Sequence, residues 1–152
     1  MPRETYEKEM NDLRGDLLEL SRMAGRALEE SIRILDERLY KEGEQLIKDD
    51  EKINLACHDI EEKSLNIIAT QQPVAGDLRF LFATMQMAME LERIADYAKG
   101  ICVINSKISP GSHIKPLIDL PRMQKKACEM LSMAIEAFLE CNVEAARKIP
   151  SM

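Results

Sequence analysis

The stretch "TQQPVAGDLR", Thr70 to Arg79, decides the fold. On its N-terminal side, apolar and small residues recur as Ile53, Cys57, Ile60, Ser64 and Ile67. These alternating steps of four and three mark a helix with one buried stripe. On its C-terminal side Thr84, Met87, Leu91, Ile94, Ala98 and Ile101 repeat the pattern. Pro73 disfavours helical geometry at Gln72, so two long helices meet at a tight corner and fold back antiparallel. Gly76 is expected to allow close packing there, and Asp77 to cap the free N–H groups of the second helix. Residues equidistant from the corner then lie level, which sets Asp50 opposite the turn near Ala95 and Asn54 opposite the turn near Leu91.

Outward from this hairpin the same periodicity continues. Leu13, Leu17, Leu20, Ala24, Ala27, Ser31 and Ile34 define an earlier long helix, expected from Thr5 to Tyr40, with the next starting near Gly43. "NSKISPGSHIKP", with its glycine and two prolines, reads as a break. From Leu117 a thinner stripe follows, Met123, Ala127, Met130, Ala134, Ala137 and Cys141, flanked by Leu131 and Phe138, and a further helical segment opens at Val143. The reading is all-α: an antiparallel helical bundle with a three-helix unit over 1–108, a linker over 109–116 and a further helical part over 117–152. Composition agrees, because 45% hydrophobic residues with only 4% aromatics and few glycines and prolines suit an aliphatic bundle core.

The formal charge of −6 argues against a nucleic-acid partner and favours cations or basic protein surfaces. No apolar run is long enough to cross a membrane, and "MPRETYEKEM" is too charged for a secretory signal, so a soluble cytoplasmic protein is expected. Cys57, Cys102, Cys128 and Cys141 lie far apart in helical patterns and read as buried, reduced thiols.

"LERIADYAKGI", Leu91 to Ile101, places Glu92 and Asp96 one turn apart, with no basic residue squarely between them. Such a pair repels by only a few tenths of a kcal/mol, about 0.2–0.5, so it forces nothing alone. The helical wheel puts both acids on the exposed side of their helix, and puts Asp50, Asn54 and Glu61 along one flank of the preceding one. Two oxygen-bearing pairs at i, i+4 spacing thus converge on one surface of the hairpin, where a cation would offset their charge. Oxygen donors suit Mg²⁺, Mn²⁺, Fe or Ca²⁺, whereas zinc asks for imidazole or thiolate. His58 follows Asn54 by one turn and reads as a surface histidine, and His113 carries no signal. Two other function classes compete: a metal-dependent enzyme acting on a phosphate ester, and a purely structural helical interaction module. No nucleophile elbow, phosphate loop or E-x-x-H pair supports catalysis.

The pieces "QQPVAGDLR" and "LERIADYA", in this order and separation, resemble the PhoU family of phosphate-uptake regulators. Glu92 and Asp96 match that family's E-x-x-x-D metal motif. Asp50 with Asn54 matches the companion motif, except that the last acid is an asparagine here. The resemblance implies two three-helix repeats, of which residues 117–152 open the second. It also implies a non-catalytic negative regulator of phosphate uptake and phosphate-starvation signalling, with a surface site for Fe, Zn, Mn or Mg held by Asp50, Asn54, Glu92 and Asp96. The implied partners are a phosphate ABC transporter, through its ATPase subunit, and a phosphate-sensing histidine kinase, with homodimers or larger oligomers. Asn54 contributes only a neutral carbonyl, so weaker or sparser metal binding is expected.

Overall fold

A computed structural model describes residues 2–108, 111, 113 and 115–152, without the side chains of Pro2 and Arg3. Residues 109, 110, 112 and 114 of the expected linker lie outside the described residues. Helices α1 (Pro2–Glu37), α2 (Tyr40–Gln71) and α3 (Ala75–Lys107) pack on one another as an antiparallel bundle. Helix α4 (Asp119–Leu139) lies along α1, and α5 (Val143–Lys148) with a short 3-10 turn (Ile149–Ser151) folds back on α4. The protein is all-α, as the periodicity predicts.

The expected stripes are the buried ones in α1 and α2. Leu13, Leu17, Leu20 and Ala24 of α1 are completely shielded, and Ile53, Cys57, Ile60, Ser64 and Ile67 of α2 meet them with Leu81 of α3. Each leucine buried in this way stabilises the fold by about 1.5–3 kcal/mol. The buried hydroxyls of Ser31 and Ser64 donate to Leu28 O and Ile60 O of their own helices, at 2.8 and 2.7 Å, which removes the cost of burying them.

In α3 the centre of the stripe is rotated from expectation. Leu81, Thr84, Ala88, Leu91, Ala95, Ala98, Cys102 and Asn105 are buried, while Met87, Ile94 and Ile101 stand at its edge. Alanines have no side chain to hold neighbouring helices apart, so they take the closest line of contact and longer residues reach in from the flanks. In α4 Ala137 of the expected stripe is buried and the expected flanks Leu131 and Phe138 dock with Ile135 and Leu139, so the docked face is shifted toward that flank, while Met123 is exposed. Phe138 stacks on Phe80 with centroids 5.2 Å apart and planes 7° apart, and the Arg14 guanidinium lies 4.6 Å from the Phe80 centroid. These ring contacts tie α4 and α1 to α3, each worth about 0.5–1.5 kcal/mol beyond burial.

The corners differ from expectation in chemistry. Gln72, φ 50° and ψ 52°, ends α2 in left-handed geometry with its N–H on Ile68 O at 3.2 Å, and Pro73 prevents continuation. Asp77 does not cap α3. Val74 holds the N-cap position without a side-chain bond, and the Asp77 carboxylate instead accepts from Tyr6 Oη at 2.7 Å. That bond, together with burial as the larger cause, pushes the Tyr6 phenol up to about 12. A Cβ on Gly76 would meet nothing within 4 Å, so close packing is not its role. Gly43 is the glycine most tightly set against a neighbour, since its Cβ would sit 3.4 Å from Ile34 Cγ2, and a Cβ on Gly25 would sit 3.8 Å from Leu131 Cδ2 of α4. Of the four unpaired cysteines only Cys57 and Cys102 are buried; Cys128 is half-buried and Cys141 is exposed in the α4–α5 turn.

Candidate cation site between the second and third helices

On α2 the buried positions run Gly43, Asp50, Ile53, Cys57, Ile60, Ser64 and Ile67. Asp50 therefore occupies the core stripe itself rather than its flank, one heptad before Cys57. It is 4% exposed. Asn54, one turn further, stands beside the stripe and is half-buried. On α3 the rotation toward Ala88 and Ala95 draws Glu92 partly into the α2–α3 seam, because it lies four residues after the first and three before the second. Asp96 stays outside, with its side chain 51% exposed.

Asp50, Glu92 and Asp96 come within electrostatic reach of one another, Asn54 stands one turn beyond Asp50 on α2, and a fifth residue joins them. Lys99 Nζ donates to Asp50 Oδ2 at 2.7 Å and lies 3.5 Å from Asp96 Oδ1. The lysine thus bridges one acid from each helix. Sequence reasoning missed it by looking for a base between Glu92 and Asp96. The signal was present, since Lys99 follows Asp96 by three residues and lies nearly level with Asp50 across the hairpin. Donation to Asp50 is the first cause that raises the Lys99 ammonium above the ordinary lysine range, and the charges of Asp50 and Asp96 add to it. Glu92 is raised above the ordinary glutamate value, first by burial and then by Asp96 and Asp50, with Lys99 and His58 opposing.

Two acceptors in this region have no donor. Asp50 Oδ1 and Asn54 Oδ1 are buried and without a hydrogen-bond partner. A buried oxygen in that condition costs about 1–3 kcal/mol unless a cation or donor meets it. The donor set therefore fits a hard, oxygen-seeking ion. In the recorded arrangement no three His, Cys, Asp or Glu among the described residues are gathered tightly enough to ligate an ion together, and the ammonium stands between Asp50 and Asp96. His58 turns to Glu61, with Nδ1 3.3 Å from Oε2. Burial, with Glu61 and Glu92 adding, pushes the Cys57 thiol up to about 11, so it supplies no thiolate near neutral pH. Asp50 also lines a cleft of about 450 Å³ whose apolar walls include Met23, Ala27 and Ile34 of α1 and Leu46 and Ile53 of α2.

His113 was unreadable in the sequence and proves structural. Its Nε2 lies 2.9 Å from Leu35 O and 3.1 Å from Asp36 O, and Arg38 Nη2 lies 3.2 Å from its Nδ1. Carbonyls only accept, so Nε2 carries the proton and Nδ1 accepts from the guanidinium. Arg38 also donates to Asn105 Oδ1 at 3.4 Å, which joins the α1–α2 corner to the end of α3.

Among the described residues no helix is long and apolar enough to cross a membrane. The family described as PhoU domain matches residues 17–104, which contains all of α2 and α3 up to its last three residues, with the four candidate ligands. A phosphate-specific transport system accessory protein PhoU homolog 1 from Methanothermobacter thermautotrophicus is 34% identical over 97% of this chain and 68% of its own length. A PhoU homolog from Clostridium acetobutylicum is 29% identical over 98% of this chain and 68% of its own. PhoU of Escherichia coli is 26% identical over 95% of this chain and 60% of its own. The chain thus spans roughly three-fifths to two-thirds of these relatives, and with more than half of its residues inside the domain match it belongs to the PhoU family.

Proposed function

We propose that this chain is a non-catalytic accessory protein of a phosphate-specific transport system, and that a divalent cation held by Asp50, Asn54, Glu92 and Asp96 is part of its working form. The relatives' names supply the transport role. The observation that supports the site is the pair of buried acceptors without donors, Asp50 Oδ1 and Asn54 Oδ1, beside two further carboxylates. The set is all oxygen, and the neighbouring imidazole and thiol are engaged or protonated. Mg²⁺, Mn²⁺ or Fe therefore suits it better than Zn²⁺. A cation there would meet the buried oxygens and lower the repulsion from Asp96 and Asp50 that adds to burial in raising Glu92.

In this reading the protein works in the cytoplasm and forms a homodimer or larger assembly. It meets the ATPase subunit of the transporter and a phosphate-sensing histidine kinase, and damps phosphate uptake and the starvation response. The second three-helix repeat begins with α4. The deciding experiment is metal analysis of purified wild type and an E92A/D96A double variant. Bound metal in the wild type and its loss from a folded double variant support the site; equal metal content in both refutes it.

A further inference from the structure

Resting on the cation site just proposed, we infer that Lys99 is that site's built-in counter-ion, a competitor that must leave Asp50 before metal can bind. Its ammonium holds Asp50 Oδ2 at 2.7 Å and stands 3.5 Å from Asp96 Oδ1, so it engages two of the four oxygen-bearing residues that a metal would use. Asp50 cannot turn outward to find another partner, because it sits on the core stripe at 4% exposure. Lys99 can. Its side chain is 36% exposed, and its flexible four-carbon stem lets the ammonium swing into solvent while the stem stays against the helix. One partner is fixed and the other mobile, which is the arrangement an exchangeable cation requires.

The charges fit the same account. Asp50, Glu92 and Asp96 carry three formal negative charges in one region, and Asn54 carries none. With Lys99 engaged the region stands at minus two, a state that folds without metal. With Lys99 released it presents its full charge to a divalent ion. Asparagine at 54 makes the competition closer, because it lowers the charge a metal meets without loosening the lysine. Lys99 thus sets the metal concentration at which the site fills, and filling it releases a positive charge from the α2–α3 seam toward solvent.

The test is calorimetric titration with Mn²⁺ of chelator-stripped wild type, K99M, K99R and E92Q/D96N, with melting temperatures in chelator and in saturating Mn²⁺. K99M is expected to melt below wild type in chelator, to regain the difference in Mn²⁺, and to bind Mn²⁺ more tightly by on the order of tenfold, as linked exclusive equilibria demand. K99R keeps the charge and is expected to bind no more tightly than wild type. Equal or weaker Mn²⁺ binding by K99M overturns the counter-ion role. So does a K99M protein that remains unfolded at saturating Mn²⁺, because the metal should then replace the ammonium. E92Q/D96N separates the two failures: if it loses Mn²⁺ binding while K99M matches wild type, only the role of Lys99 falls. If it binds as wild type does, the site itself falls.

Discussion

The two halves of the α2–α3 hairpin use the same heptad positions for opposite purposes. Near the Gln72 corner the stripe holds Ile60, Ile67 and Leu81 against Leu13 and Leu17, all nearly or completely shielded, and the polar groups buried among them are the small neutral hydroxyls of Ser64 and Thr84. Toward the other end the positions equivalent to Ser64 and Thr84 hold Asp50 and Asn105, the helices are joined by Lys99 and Arg38, and a cleft opens between α1 and α2. Burying apolar area stabilises regardless of what else is bound, whereas a buried carboxylate stabilises only while something positive meets it. The comparison teaches that one half carries the fold and the other carries a conditional interaction.

The largest expected effect falls in the apolar half. Leu81→Ala removes a fully shielded side chain and should cost about 2–5 kcal/mol in chemical denaturation. Mn²⁺ affinity should be unchanged; a matching loss of affinity would show that the halves are not separable. Next comes Lys99→Met in metal-free buffer, which leaves Asp50 buried and unpaired and should cost about 1–3 kcal/mol, at the low end because the lysine is partly exposed. The Lys99 ammonium is raised in the folded state, so its contribution is complete below the ordinary lysine value and is lost as pH rises through the raised one. The difference between variant and wild type should accordingly close in strong alkali.

The corners sharpen the contrast at a smaller scale. Gln72 and Arg38 both adopt left-handed geometry, φ 50° and 59°, which costs a side-chain-bearing residue about 1–2 kcal/mol. Gln72→Gly should therefore stabilise by about 1 kcal/mol, once the glycine's greater freedom in the unfolded chain is counted. Arg38→Gly should yield no gain, since it also removes the bonds to Asn105 and His113. Equal thermal shifts at both corners would contradict the division of labour. The smallest effect is Glu92→Gln. Glu92 titrates above its ordinary value in the folded protein, so its favourable contribution exists below that ordinary value and is lost as pH climbs through the raised one. In chelator the glutamine variant should melt slightly above wild type at neutral pH, and the gap should vanish on acidification.

What was legible in the sequence divides along the same line. The α2 stripe from Ile53 to Ile67 and the corner at Gln72–Pro73 were readable because apolar periodicity and proline act locally. Asp50 was misread as flanking because a carboxylate on a core stripe looks like an interruption of it, although its spacing to Ile53 and Cys57 is regular. The α3 stripe was centred wrongly because hydropathy weights Met87 and Ile94 above Ala88 and Ala95, while close packing favours the smaller residues. Lys99 was readable from its three-residue spacing to Asp96 and its level with Asp50 but was passed over, whereas Tyr6–Asp77 and His113 act across long sequence separations, where only the assembled bundle pairs them. Convergence of Asp50, Glu92 and Asp96 could be inferred in advance because antiparallel register follows from the corner alone.

The seal on the end of α1 has an implication for synthesis. That helix has no basic residue in its last turn, and two of its final carbonyls are met by His113, 78 and 77 positions later. A nascent chain can therefore wind α1 and pair it with α2 long before its last turn is closed. Completion waits until the segment after α3 leaves the ribosome, which leaves the α1 C-terminal turn open to proteases and chaperones until then.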